Sequence, residues 1–117
     1  MQVLEGHSEL NCDRRISLDR ASATDMRVRI FHPEERSGAM TQVRIDDLRR
    51  VLESRRGALP GTAEHEGKPL SVRREATIGR DEFHLWIHGV GDNGWSILIN
   101  RRELLDAFEA ELSPQSS

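Results

Sequence analysis

The residues that most resemble a chemical motif are three glycines near position 90. The segment Gly89-Val90-Gly91-Asp92-Asn93-Gly94 matches the G-x-G-x-x-G pattern of dinucleotide-binding loops. That pattern binds a pyrophosphate only when the loop leaves a strand and opens a helix, because the helix N-terminus supplies the free N–H groups. Here the residues after the loop, Trp95 to Ile99, alternate as a strand. The sequence therefore predicts a hairpin turn and no nucleotide cofactor.

Five histidines and one cysteine are the remaining residues that could bind a metal ion or attack a substrate. His84 and His88 lie four residues apart on one predicted strand, so they are separated by about 13 Å and cannot share one ion. Cys12 falls at a position with core parity, where a thiol is typically a small apolar side chain. No serine occupies a G-x-S-x-G turn. We therefore expect no metal site, no cofactor and no catalytic residue, and we predict that the protein is not an enzyme.

Arg101 and Arg102 form a candidate anion-binding site at the predicted start of the second helix. Asn100 and Glu103 are spaced as the N-cap and N3 residues of a capping box, which indicates where that helix begins. Free backbone N–H groups beside two guanidinium groups would bind a carboxylate or a phosphate. The alternative is that Asp92 or another neighbouring acid neutralises both arginines.

The elements that would position these residues recur within the chain. Six alternate positions from 10 to 20 resemble those from 70 to 80, a shift of 60. The apolar residues at 26, 28 and 30 recur at 83, 85 and 87, and those at 43 and 45 recur at 97 and 99. Each series is followed by a helical pattern with apolar residues three and four apart. The predicted fold is therefore α+β, a tandem duplication of a β-β-β-α unit with antiparallel sheets, each covered by one helix. The sequence leaves open whether the two sheets are continuous or face to face.

The predicted boundaries follow from these patterns. We expect a single domain over residues 1–117, with internal repeats at 10–57 and 70–113 joined by a linker at 58–69. Asp46 is the predicted N-cap of the first helix, and Gly57 its predicted C′ residue.

Alternation also predicts the faces and the register of the second hairpin. If Ile87 and Ile99 share the buried face, opposed residues have numbers that sum to 186, and Asp92-Asn93-Gly94 is a three-residue loop. The other face of that strand carries His84, Trp86 and His88.

The outward sheet face is the candidate partner-binding surface. Exposed aromatic and apolar residues beside arginines are typical of an interface hot spot. The favoured interpretation is a non-enzymatic protein-binding module (a small regulator, inhibitor or adaptor) that forms a homodimer or binds another protein. The predicted contact residues are Trp86, His84, His88, Leu98, Arg27, Arg29, Phe31 and Arg44.

A single-stranded nucleic-acid-binding protein is the alternative. A strand-rich unit closed by one helix resembles, in topology alone, the Whirly and transcriptional-coactivator single-stranded-DNA binders, whose curved sheets carry basic and aromatic residues. The resemblance implies that Arg27, Arg29, Phe31, Arg44 and Trp86 contact phosphates and bases. The formal net charge of −3 disfavours it, because such proteins usually carry a basic surface.

Composition sets the remaining expectations. Hydrophobic residues make up 36% of the 117 residues, enough for one modest core. No apolar run approaches the roughly 18 residues of a membrane span, and residues 1–10 lack the apolar stretch of a signal peptide. The single cysteine cannot form an internal disulfide, which fits a reducing compartment. We therefore expect a cytoplasmic protein without a membrane partner.

Overall fold

The computed structural model describes residues 1–8, 12–34, 38–54, 56–59, 69–88 and 95–113. Within these residues the order of elements is four strands and a helix, followed by four strands and a helix. The strands are β1 (Gln2–His7), β2 (Asp13–Arg20), β3 (Asp25–Phe31), β4 (Gly38–Arg44), β5 (Arg56–Leu59), β6 (Leu70–Thr77), β7 (Arg80–Ile87) and β8 (Trp95–Asn100), and the helices are α1 (Ile45–Glu53) and α2 (Arg101–Leu112).

All eight strands belong to one antiparallel sheet, in the order β4-β3-β2-β1-β8-β7-β6-β5. The α+β class is confirmed. The strands form one continuous sheet, which is one of the two arrangements that the sequence left open, and not two separate sheets each covered by one helix. The reason is β1, which the sequence analysis did not predict. This strand pairs with β2 along its whole length and with β8 at His7 and Leu98, so it joins the two halves side by side.

The sheet curls into a nearly closed, barrel-like shape. Across the core, β3 faces β8 and β4 faces β7. The helix α2 lies against β1, β2, β7 and β8, whereas α1 lies against β4 and β5, the two edge strands.

One apolar core fills the inside of this sheet. Alternation predicts the inward face of β3 and β7 correctly, because residues on that face are at most 1% exposed. Both helices contribute residues at spacings of three and four to the same core. These residues are Met26, Val28, Ile30, Phe83, Leu85 and Ile87 from the strands, and Leu48, Val51, Leu52, Leu104, Ala107 and Phe108 from the helices.

The correspondence between the two halves differs from the one that the sequence suggests. Leu18 pairs with Val28, and Val72 pairs with Leu85, so β2 corresponds to β6 with a shift of 54 residues instead of 60. Ile78, which the longer shift matches to Leu18, lies in the β6–β7 turn and is fully exposed. Leu10, where the predicted first repeat begins, is outside the described residues. The duplication itself stays a prediction.

The register of the β7–β8 hairpin is also different. The pairs are Phe83 with Ile99 and Ile87 with Trp95, so opposed numbers sum to 182 and not to 186. The expected face is correct, because a shift of four residues on one strand is an even number and keeps the same side inward. The predicted loop, Asp92-Asn93-Gly94, and the glycine motif that contains it lie outside the described residues.

Two predicted features of α1 are corrected by its observed ends. Its N-cap is Arg44, without a side-chain cap, and Asp46 lies in the first turn, where a negative charge still favours the helix. The helix ends at Glu53, and the Ser54 N–H donates to the Arg50 carbonyl, whereas Gly57 belongs to β5. β5 therefore occupies part of the predicted 58–69 linker. By contrast, the Asn100 cap of α2 is confirmed, because its Oδ1 accepts from the Glu103 N–H at 3.1 Å.

The expectation that Cys12 is buried is wrong. Cys12 has the parity of the inward face of β2, but it precedes that strand and is exposed. The buried part of β2 begins only at Ile16. Its backbone bonds to Ser8, whose N–H donates to the Cys12 carbonyl at 2.8 Å.

The join between β1 and β8 gives the first test. An alanine Cβ at Gly6 would lie 2.5 Å from the Leu98 carbonyl oxygen and 2.8 Å from Ile97 Cγ1. Gly6→Ala must therefore push β1 away from β8. We expect a loss of about 1–3 kcal/mol in the free energy of unfolding, as for other overpacked sites. Hydrogen exchange should also accelerate at the amides next to His7 and Leu98.

Gly79→Ala is the matched control. Gly79 has φ +82° and nothing within 4 Å of an added Cβ, so its substitution costs about 1–2 kcal/mol through the backbone alone. Exchange at the join should be unchanged in this control. If Gly6→Ala leaves both stability and exchange at the join unaltered, the side-by-side arrangement is wrong.

Candidate functional site

Three ring side chains and one leucine form a cluster on the outer side of β7 and β8, here called the Trp86 surface: His84, Trp86, His88 and Leu98. Trp86 is half-buried and lies directly between Ser71 of β6 and Ser96 of β8. Because serine side chains are short, the two residues directly opposite Trp86 on the neighbouring strands leave the indole largely uncovered. The strand period that sends Phe83 and Leu85 inward sends Trp86 outward.

Two histidines hold the indole along its own strand. The His84 ring centroid is 4.9 Å from that of Trp86, and the His88 ring meets Trp86 edge-on at 5.6 Å. His88 is fixed in turn, because its Nε2 lies 2.7 Å from Ser71 Oγ. His84 is only 6% exposed, and its Nδ1 lies 3.7 Å from a Glu75 carboxylate oxygen. The three rings therefore form an ordered row.

Leu98 extends the surface toward the join of the sheet. It pairs with His84 on one side and with His7 on the other, and it is half-buried. The structure thus brings together the four residues that the sequence analysis placed on the second half of the chain.

The other four predicted contact residues lie elsewhere. Arg27, Arg29, Phe31 and Arg44 belong to β3 and β4. Three strands, β2, β1 and β8, separate β3 from β7. The four steps between neighbouring strands, of about 4.8 Å each, place β3 and β7 about 19 Å apart along the sheet. Since β3 and β8 face each other across the core, their outer sides point in different directions. The eight residues therefore form two surfaces and not one.

The second of these surfaces is here called the arginine surface and consists of Arg27, Arg29, Phe31 and Arg44. Most of its side chains interact with neighbouring residues of the same chain. The Arg27 guanidinium lies 3.3 Å from the Asp19 carboxylate. Arg29 lies over the Phe31 ring, with 4.6 Å between the guanidinium carbon and the ring centroid. Arg44 is exposed and pairs with Asp25 in the β3–β4 ladder.

The candidate anion site is partly neutralised. Arg101 Nη1 lies 3.7 Å from Asp81 Oδ2, and Arg74 donates two hydrogen bonds of 2.9 and 3.0 Å to the same carboxylate. Arg102 is exposed. The hydrogen bond from Arg74 lowers the pKa of Asp81, and the charge of Arg101 adds to that shift, which is opposed by desolvation. Within the described residues, the acid that neutralises Arg101 is therefore Asp81, and no ion pair of Arg102 is seen there. Asp92, which the sequence suggested for this role, lies outside the described residues.

Sequence reasoning missed a cleft of about 380 Å³ beside the β1–β2 hairpin. Its lining includes Glu5, Asp13, Arg14 and Arg15, so opposite charges balance and favour no single ligand charge. The cleft requires β1, whose short and irregular alternation gave no strand signal.

The described residues contain no group of three or more His, Cys, Asp or Glu side chains that could hold a metal ion. None of their helices is long and apolar enough to cross a membrane.

Comparison of the chain with protein-family models, with curated proteins and with solved structures gave no match.

The Asp81 cluster gives a second test. Because the pKa of Asp81 is lower in the folded protein than in the unfolded chain, the pairing stabilises the fold above the unfolded pKa, and this contribution is lost as the pH falls through the folded pKa. Arg74→Gln should raise the pKa of Asp81 toward its ordinary value. The difference in unfolding free energy between the two proteins should therefore be present at neutral pH and shrink in acid.

An NMR titration of the Asp81 carboxyl carbon measures this directly. Arg101→Gln should raise the same pKa by less, since its contribution is the smaller one. Arg102→Gln is the control and should leave it unchanged. An Asp81 pKa that is equal in wild type and Arg74→Gln would contradict the assignment.

Proposed function

We propose that the protein is a non-enzymatic binding module that contacts another protein through the Trp86 surface. The observation that carries this proposal is the half-buried indole of Trp86, held between two histidine rings and flanked by two serines. Aromatic residues with an accessible face in a fixed conformation are the usual anchors of protein interfaces.

The surroundings of the indole suit an interface. Leu98 adds apolar area on one side, whereas Arg73 and Glu75 supply a charged rim next to His84. Interfaces commonly combine an apolar centre with such a polar rim. Because the Trp86 ring is already packed against His84 and His88, binding would immobilise few additional side chains, which lowers the entropic cost.

The charge near the indole argues against nucleic acid at this surface. Glu75 and Glu82 are directly paired on β6 and β7, so two carboxylates lie two positions along the sheet from His84 and Arg73. Phosphates would be repelled there. The arginines needed for the single-stranded nucleic-acid alternative lie on β3 and β4 instead. Only the stacked pair of Arg29 and Phe31 favours that alternative, on the arginine surface.

We also propose that the fold arose by tandem duplication of one unit. Its support is the ββββα order, which occurs twice, and the match of Leu48 with Leu104 and of Leu52 with Phe108 at a constant shift of 56. The repeated unit would then include β1 and β5. The proposed partner is a second copy of the chain, which is tested first, or a foreign protein. The proposed location of this association is the cytoplasm.

The decisive variant is Trp86→Ala. It should weaken association by about 2 kcal/mol or more, the usual hot-spot threshold, because it removes the central anchor. Thermal stability should change little, since Trp86 lies outside the core. Sedimentation equilibrium measures self-association, and a quantitative pull-down from a lysate of the source organism, with equal amounts of each bait, measures binding of other proteins.

Phe31→Ala is the matched control, an outward aromatic residue on the opposite surface. It should leave protein association intact. If Trp86→Ala lowers association no more than Phe31→Ala does, or unfolds the isolated chain, the proposal fails. Binding of a single-stranded oligonucleotide that is lost in Phe31→Ala but kept in Trp86→Ala would instead support the alternative function.

A further inference from the structure

A groove of about 630 Å³ lies between β1 and α2, away from the Trp86 surface. One wall is the edge of β1 from Gln2 to Glu5. The other is a stripe of α2 at spacings of three and four: Glu103, Asp106, Ala107 and Ala110. Its volume lies within the range of about 300–1,000 Å³ that is common for binding sites.

The groove exists because β8 stops early. In the described residues, β1 and β8 are paired at His7 and Leu98 alone. β8 ends two residues later, at Asn100, and the chain turns into α2. Beyond the join, the neighbour of β1 is therefore a helix, which cannot complete a strand ladder.

The edge of β1 that faces this groove consequently offers backbone groups for pairing. In an antiparallel pair, alternate residues direct their N–H and C=O groups away from the partner strand. β1 is paired with β2 on one side from Gln2 to His7, so its groups on the other side face the groove. An extended peptide can add a strand at such an edge, and a groove between a strand and a helix is a known setting for this mode of binding.

Small side chains keep the groove open. Ala107 and Ala110 are the small residues of α2 that line the groove, and Ala110 is exposed. The strand wall is fixed by the pairing of β1 with β2 along its length and by the pair of His7 with Leu98. The groove is thus formed before any ligand binds, which reduces the entropic cost of binding.

The charge of the residues that line the groove indicates which kind of peptide would bind there. The lining includes three carboxylates, on Glu5, Glu103 and Asp106, and no lysine or arginine. Glu5 lies 3.3 Å from Arg15 Nη2, whereas Glu103 and Asp106 are exposed and make no ion pair within the described residues. Val3, 47% exposed, adds an apolar contact in the same wall.

We propose that this groove binds an extended, basic peptide segment of a partner protein, which adds a strand to the free edge of β1 and places lysine or arginine side chains against Glu103 and Asp106. The site is independent of the Trp86 surface.

The probe is a synthetic peptide, acetyl-Lys-Val-Lys-Val-Lys-Val-amide, with the corresponding Glu-Val peptide as its charge-reversed control. Titration of the isotope-labelled protein should shift amide resonances of residues 2–5 and 103–110, and should slow hydrogen exchange on the β1 edge. Affinity should fall as salt rises, because exposed charges are screened. The Glu-Val peptide should bind at least tenfold more weakly.

Three variants separate the groove from the rest of the molecule. Ala110→Phe fills the groove and should abolish binding, whereas Ala110→Ser, nearly equal in volume to the wild type, should not. The double variant Glu103→Gln with Asp106→Asn should weaken binding about tenfold. Glu109→Gln removes a carboxylate of the same helix that pairs with Arg49 at 2.5 Å, outside the groove, and should have no effect.

Several results would overturn this proposal. They are the absence of shifts at residues 2–5, equal affinity for the two peptides, or binding that survives Ala110→Phe in a folded protein. Shifts confined to Trp86 and its neighbours would overturn the groove while supporting the Trp86 surface. Loss of peptide binding in Trp86→Ala, a substitution that leaves the groove intact, would likewise contradict the groove and support the Trp86 surface. Self-association that Ala110→Phe abolishes would identify a second copy as the occupant and also contradict the proposal.

Discussion

The contact between β1 and β8 determines where every surface of this protein lies. It is a short join, in which His7 pairs with Leu98 and Gly6 lets the two backbones approach closely. Through it, two four-strand meanders become one sheet with a shared inner side. The shared core and the separation of the two outer surfaces both follow from this arrangement.

The sequence was most informative where a single period governs a long segment. The inward faces of β3 and β7 and the buried sides of both helices follow from spacings of two or of three and four, because these segments each contribute several residues to one core. Asn100 likewise identified the start of α2, since its cap is a local interaction. These features depend on nearby residues only.

Features that depend on partners distant in sequence were not predictable in the same way. β1 carries exposed Val3 and glycine at an inward position, so its alternation is weak, and its strand state depends on β2 and β8. The hairpin register required knowing where β7 and β8 stop. The alternation of Cys12 with Arg14 and Ile16 suggested burial, yet the core ends before it. Of the candidate site, the row of rings around Trp86 was foreseen, but its separation from the arginines required the strand order.

The long separation between His7 and Leu98 also has a consequence for folding. The hairpins of the first half join strands that are close in sequence, whereas the join closes a loop of about ninety residues, which carries a larger entropic cost. During synthesis β1 emerges before the other described strands, and its second neighbour, β8, emerges after them. The nascent first half therefore exposes the apolar inner side of its meander until β8 leaves the ribosome. During this interval the chain is most prone to aggregation and most accessible to chaperones.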